Sequence, residues 1–345
     1  MADVWPEPTT SRRDLLRRTG VAAAVLLGGG GAVYAWRTAP TLSVRLGTVG
    51  STSGLWRYTA QRREGLFASR GYAVSFQSFA SEAALRAAFL ANQLDLIESP
   101  VPTVALLRAA GSPVQFFLPT AWTHQSFPFV VRSGSPARSL RDLIGQPVAS
   151  YPLDDPTMAY WLALAPAVLG IDPRQLALQP SAAPSLRLFD PAVAGACLPT
   201  DRWWILAADP GVRAVADLQS AWRVLSGSVR PLVLRGYLAR EEFLQRHPAF
   251  VSDFVAAHRT ALAAYWQDRG AFLNVVAGFH DGPTLSPALS QVQATALGYD
   301  DVTTDRLTLS DDDVQGYTRL FPLMAQHGFV QAAPDVGTLF YRPRI

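Results

Sequence analysis

The chain has 345 residues, of which 49% are apolar and 17% are charged, a composition typical of a globular protein with a sizeable packed core. Its formal net charge of +3 is too small to indicate a nucleic-acid partner. Cys197 is the only cysteine, which excludes an internal disulfide and a metal site built on cysteines.

The N-terminal segment has the features of an export signal. Arg12 and Arg13 form a twin-arginine pair, and residues 19–36 form an apolar run without a charged side chain. The twin-arginine export machinery reads a paired-arginine head of this kind, so we expect the protein outside the cytoplasm. Residues 1–36 are predicted to be a signal cleaved near Ala35 or a retained anchor. A helix over residues 19–36 rises about 27 Å, against a bilayer core of about 30 Å.

Strands alternate with helices through the next part of the chain. Strands are predicted at residues 42–46, 72–79, 94–97 and 114–118. Helices are predicted at residues 55–64, at 82–92 after Ser81 as the N-cap, and at 101–110. This alternation favours a parallel sheet covered by helices, in which ligands bind at the carboxyl ends of the strands. This rule places four polar residues at one edge of the sheet, which we call the rim: Ser51, Ser81, Glu98 and Ser99.

A second unit is predicted after a strand at residues 129–131. Another strand at 147–150 leads to a helix at 156–169, which Asp154 and Asp155 precede. Short strands are predicted at residues 176–178, 194–198 and 223–225. After residues 232–234 the chain is predicted to be helical to its end, with helices at residues 248–268, 286–297 and 310–327.

The order of these motifs resembles the solute-binding proteins of ABC importers in the nitrate, sulfonate, taurine and thiamine-precursor group. The first strand with Ser51 is similar to the family's opening strand and ligand loop, and residues 64–71 (EGLFASRG) resemble its E/K-G-L-F turn. Residues 139–149 (SLRDLIGQPVA) resemble the start of its second lobe. The chain departs from the family pattern at Asn92, where the family has glycine, and at residues 188–196.

The resemblance implies an α/β protein with a two-lobed type II periplasmic-binding-protein fold, each lobe a mainly parallel sheet with flanking helices. The first lobe would comprise residues 42–130 plus 235–345, and the second residues 131–234. The implied function is the exported substrate-binding component of an ABC importer, which closes on a small organic solute by a hinge movement. The expected partners are an ABC permease and ATPase, and the twin-arginine translocase during export. We expect a monomer that needs no cofactor and no metal.

Candidate ligand-binding residues are small, polar or aromatic side chains in the loops at the predicted cleft. They are Ser51, Thr52, Trp56, Ser81, Glu98, Ser99, Tyr151, Asp155, Thr157, Asp201 and Trp203. Each has a structural alternative: Ser81 as a helix cap, the acids as solvated partners of helix dipoles, and the aromatic residues as core.

Carboxylates at this rim bear on the charge of the ligand. Glu82, Glu98, Asp154 and Asp155 are all predicted to lie there. An anion 4 Å from one carboxylate is opposed by about 4 kcal/mol at an effective dielectric constant of about 20. We therefore expect a neutral, cationic or heteroaromatic ligand.

Catalysis is the main alternative to binding. Thiamine-pyrimidine synthases and menaquinone-pathway enzymes share the implied fold. Thiamine-pyrimidine synthases have a cysteine-rich motif, whereas this chain has one cysteine. Menaquinone-pathway enzymes are expected in the cytoplasm, which conflicts with the export signal. The five histidines show no metal-ligand spacing, and Thr52 stands where a Gly-x-Ser-x-Gly nucleophile would be serine. The sequence therefore predicts a protein that is not an enzyme. A sensor module that presents ligand to a membrane kinase remains open.

Overall fold

The computed structural model describes residues 42–49, 67–123, 127–181, 184–198, 203, 206–207, 209–268 and 307–342. The chain divides into two units, Met1–Ala39 and Pro40–Ile345, and the described residues all belong to the second. The predicted signal and the predicted helices at residues 55–64 and 286–297 lie outside the described residues. In the described part of the chain, the helices are too short or too polar to cross a membrane.

The described residues form two five-stranded sheets with helices packed against them. The strands are β1 (Leu42–Val49), β2 (Tyr72–Phe79), β3 (Leu96–Pro100), β4 (Val114–Trp122), β5 (Phe129–Arg132), β6 (Pro147–Ser150), β7 (Ala177–Pro180), β8 (Gly195–Cys197), β9 (Val212–Ala216) and β10 (Val233–Arg240). The helices are α1 (Glu82–Leu90), α2 (Thr103–Ala109), α3 (Met158–Leu164), α4 (Pro184–Arg187), α5 (Leu218–Ser226), α6 (Glu241–Arg246), α7 (Pro248–Gln267) and α8 (Asp311–Gln326).

Each sheet has four strands in one direction and one reversed strand. The first sheet has the order β2-β1-β3-β10-β4, in which β1 is parallel to β2 and β3 while β10 is antiparallel to both neighbours. The second has the order β7-β6-β8-β5-β9, in which β5 is the reversed strand. The chain thus leaves the first sheet after β4, builds the second, and returns as β10. The predicted pair of mainly parallel sheets is confirmed.

The prediction of a strand at residues 223–225 is wrong, because these residues lie in α5. Asp217 caps this helix by accepting a hydrogen bond from the Ser220 N–H at 2.8 Å, and Gly227 ends it in the left-handed conformation at φ 70°. Leu218 and Trp222 are buried on its inner face. The short strand β9, just before the Asp217 cap, was not predicted from the sequence.

The prediction that the chain becomes helical after residue 234 is also wrong. Strand β10 continues to Arg240 and fills the gap between β3 and β4. Its pairing with β4 is irregular around Gly236, where an added Cβ would lie 2.1 Å from the carbonyl oxygen of Leu118. Glycine therefore allows the two backbones to approach, and Arg235 enters the sheet beside it.

Two buried tyrosines attach helices to the start of β10. The Tyr160 hydroxyl on α3 donates to the carbonyl of Leu234 at 2.5 Å and lies 3.0 Å from the Tyr317 hydroxyl on α8. Tyr317 in turn donates to the carbonyl of Val233. Helix α8, which the predicted division assigns to the first lobe, thus contacts α3, which packs on the second sheet. The lobe boundaries themselves stay a prediction.

Candidate functional site

Polar side chains of the first sheet converge where β3, β4, β10 and the N-terminus of α1 meet. Glu82 is the first residue of α1, Glu98 and Ser99 lie on β3, Thr120 on β4 and Arg235 on β10. Glu82, Glu98 and Ser99 are at most 5% exposed. Buried polar groups need hydrogen-bond partners, so the contacts among these residues define the site.

Arg235 and Glu82 form a buried ion pair. The guanidinium Nη2 donates to Glu82 Oε1 at 2.5 Å, and the two side chains are 12% and 5% exposed. The second oxygen of Glu82 accepts a hydrogen bond from the Ser99 hydroxyl at 2.7 Å. The Ser99 hydroxyl lies 2.7 Å from that of Thr103, which is fully buried. Both oxygens of the Glu82 carboxylate therefore have donors.

Glu98 adds a second carboxylate beside Arg235. Its Oε1 accepts a hydrogen bond from the Thr120 hydroxyl at 2.9 Å, and its backbone carbonyl accepts one from Arg235 at 3.3 Å. Burial alone would lower the pKa of Arg235, but the charges of Glu82 and Glu98 outweigh it and raise that pKa above its usual value. Arg235 is consequently a permanent cation held between carboxylates.

Asp155 brings the second sheet to the same place. It lies between β6 and α3, where its Oδ1 accepts a hydrogen bond from the Thr157 N–H at 2.8 Å. Burial raises the pKa of Asp155; the charge of Glu82 also raises it, whereas the Thr157 hydrogen bonds and Arg235 oppose the increase. Since Glu82 begins α1 beside the first sheet, Arg235 lies on β10 of that sheet and Asp155 follows β6 of the second, this interaction joins side chains from both parts of the fold in one polar cluster.

Other residues predicted for the site have structural roles here. Ser81 is exposed and caps α1 by accepting a hydrogen bond from the Ala84 N–H at 3.2 Å, as its structural alternative predicts. Tyr151 is half-buried and packs edge-on against the Phe127 ring at 6.2 Å. Asp154 is exposed. Contacts of Ser81 and Tyr151 with a ligand stay a prediction.

Trp203 lies in the core on one face of the second sheet. It is 9% exposed and belongs to a small apolar cluster with Val130, Ala149, Leu188, Val193, Ala196, Leu198 and Val212. Within the part of the chain that the structure describes, its indole N–H has no hydrogen-bond partner. Four other predicted ligand residues and the two signal arginines lie outside the described residues: Ser51, Thr52, Trp56, Asp201, Arg12 and Arg13.

The polar cluster also contains residues that were not predicted from the sequence. Arg235, Thr103 and Thr120 were not among the candidates, although each contacts a candidate residue. Arg235 carried a usable signal, because it is a single charge inside the apolar run 232–239 (LVLRGYLA). A charge at such a position in a buried strand needs a partner.

The one thiol of the chain is buried near this cluster. Cys197 Sγ lies 3.6 Å from the carbonyl oxygen of Phe127, and burial, with the nearby charge of Asp155, raises the pKa of the thiol. Cys197 is therefore protonated at neutral pH and is a poor nucleophile. Among the described residues, no group of three His, Cys, Asp or Glu side chains is placed to hold a metal ion.

The fold is similar to that of solved periplasmic binding proteins. The periplasmic aliphatic sulphonate binding protein SsuA from Escherichia coli matches at 16% identity and a TM-score of 0.67, over 87% of this chain and 92% of that one. The alkanesulfonate-binding protein SsuA from Xanthomonas axonopodis pv. citri, bound to MOPS, matches at 16% identity and a TM-score of 0.65, over 86% of this chain and 98% of that one. The periplasmic nitrate-binding protein NrtA from Synechocystis PCC 6803 matches at 12% identity and a TM-score of 0.58, over 86% of this chain and 85% of that one.

These similarities establish the fold. At such low identities they show that the chain has the α/β periplasmic-binding-protein architecture that the family resemblance implies, here with two five-stranded sheets. No protein-family model and no curated protein sequence matches the chain.

Proposed function

We propose that the chain is the exported substrate-binding component of an ABC importer and captures a small organic solute between its two sheets. One observation carries the proposal: Asp155, which follows β6 of the second sheet, shares a polar cluster with the Glu82–Arg235 ion pair at the first sheet, since, besides burial, the charge of Glu82 raises the pKa of Asp155 and that of Arg235 opposes the increase. In a two-lobed protein that closes on its ligand, polar groups of both lobes have to face the same space.

The similar structures support this kind of function. Those named above are sulfonate-binding and nitrate-binding proteins. The twin-arginine pair supports export, with the translocase as a transient partner and a permease and ATPase as the partners of transport. The other predicted ligand contacts also belong to the proposal: Ser51, Thr52, Trp56, Ser81, Glu98, Ser99, Tyr151, Thr157, Asp201 and Trp203.

A thermal-shift screen tests the proposal. The panel should contain amines, pyrimidines, purines, sulfonates and nitrate, added to the purified chain without residues 1–36. A true ligand present at a hundredfold excess over its Kd should stabilise the folded state by about 2.7 kcal/mol. Failure of the whole panel to shift the unfolding temperature, or turnover of a compound by the protein, would contradict the receptor function.

A matched pair of aspartates localises the binding. In Asp155→Asn the hydrogen bond from the Thr157 N–H is retained and the charge is lost, so the ligand-dependent shift should fall. Asp209→Asn is the control, because Asp209 accepts a hydrogen bond from the N–H two residues ahead in the same way but is exposed. Equal shifts in the two variants would place the ligand elsewhere.

A further inference from the structure

The charge of Arg235 is already neutralised by a residue of the chain itself. A guanidinium at the edge of a cleft is well suited to bind carboxylates, sulfonates and other oxyanions, because its planar donors match their oxygens. Here the Nη2 donor of Arg235 contacts Glu82 at 2.5 Å, with both side chains largely buried.

Glu82 also occupies the other groups that an oxyanion would use. Its second oxygen accepts a hydrogen bond from the Ser99 hydroxyl, which in turn lies 2.7 Å from the Thr103 hydroxyl. As the first residue of the nine-residue helix α1, it lies at the positive end of the helix dipole. One carboxylate of the chain thus contacts an arginine and a hydroxyl and lies beside the positive end of a helix, where a bound anion would also be stabilised.

We propose that Glu82 is a specificity-determining residue that excludes anionic solutes from the cleft by acting as the internal counter-ion of Arg235. The inference rests on the proposed receptor function and assigns its substrate class: the solute carries no net negative charge. An anion would have to displace Glu82 from Arg235 and would then face the carboxylates of Glu98 and Asp155.

Glu82→Gln tests the assignment, since it keeps the length of the side chain, leaves one acceptor oxygen in place of two, and removes the charge. Unfolding temperatures are measured in methanesulfonate, nitrate or sulfate against chloride at equal ionic strength. In the unsubstituted protein, these oxyanions should cause no saturable shift of the unfolding temperature. The Glu82→Gln variant should be less stable in chloride, and the added oxyanions should raise its unfolding temperature with a saturable dose response. The double variant Glu82→Gln/Arg235→Gln should lose this response.

The matched control is Glu241→Gln, which removes the carboxylate partner of Arg108. That ion pair is more exposed, with side chains 27% and 29% accessible, and it lies on α2 and α6, away from the cluster. Glu241→Gln should show no saturable response to oxyanions. Equal responses in the two variants would reveal nonspecific neutralisation of an unpaired arginine and would overturn the assignment.

The unsubstituted protein tests the role of Glu82 even if Glu82→Gln does not fold. A saturable stabilisation by methanesulfonate or nitrate would overturn the role of Glu82 while leaving the receptor function in place. A ligand found only among the neutral and cationic compounds would support both. A chain that binds nothing in the wider panel would contradict the receptor function, and with it the substrate class that depends on it.

Discussion

Replacing Arg235 with glutamine should destabilise the protein strongly. The variant leaves the Glu82 carboxylate, 5% exposed, without the cation that it contacts at 2.5 Å. Removing one partner of a buried ion pair typically costs about 3–5 kcal/mol, because the remaining charge is buried without compensation. We expect a loss in this range, since among the described residues the Ser99 hydroxyl is the remaining side-chain donor to Glu82.

The double variant Arg235→Gln/Glu82→Gln separates two contributions to the loss of stability: the broken ion pair and the altered packing of the two side chains. Neither residue then carries a buried charge, so the double variant should cost less than the sum of the two single variants, with a coupling energy of about 2 kcal/mol or more. Urea unfolding followed by far-ultraviolet circular dichroism, at neutral pH and constant salt, gives the required free energies of unfolding.

Arg108→Gln is the control for this experiment. Its partner Glu241 has a side chain that is 29% exposed, and water can solvate the carboxylate when the arginine is removed. The expected cost is about 1 kcal/mol or less. If Arg235→Gln costs no more than Arg108→Gln, and the double variant is additive within about 0.5 kcal/mol, the Arg235–Glu82 pair is not the buried interaction described above.

Three further predictions concern buried groups outside the pair. Tyr317→Phe removes the donor to the Val233 carbonyl and should cost about 1–3 kcal/mol in urea unfolding, whereas Tyr341→Phe at a half-buried position should cost less. Burial lowers the pKa of His258 to about 4, so the unfolded chain takes up the proton first and stability should decrease as the pH falls from about 6.5 towards 4. His258→Leu should flatten that part of the stability profile, and an unchanged slope would contradict the assignment. Cys197 should react with a thiol reagent only after unfolding, so rapid labelling of the native protein would disprove its burial.

The parts of the fold that depend on local signals could be predicted from the sequence. Ser81 caps α1 and Ser310 caps α8, where the Asp313 N–H donates to the serine hydroxyl at 3.2 Å. The end of α1 was predicted less well, because the helix stops at Leu90 and not at residue 92. Asn92, which stands where the resembling family has glycine, has a positive φ of 59°, a conformation that asparagine tolerates better than most residues.

The errors arose in short segments whose residues carry no clear periodicity. Strand β8 was predicted within residues 194–198, yet the five-residue strand β9 and the extension of β10 beyond residue 234 were not. Apolar runs of this length are compatible with either a helix or a strand, and pairing with neighbouring strands decides between them. For β10 those neighbours are β3 and β4, which are distant in sequence, so the sequence alone could not show that Arg235 enters the sheet.

The same limit applies to the charge of the site. The sequence placed four acids at one rim and predicted that they repel an anion, but Asp154 is exposed and Arg235 lies among the other three. Glu82 and Arg235 are separated by 153 positions, so their contact depends on the complete first sheet. The expectation of a ligand without net negative charge therefore rests on a different physical reason. The cation that could attract an anion is present, and a carboxylate of the chain already occupies it.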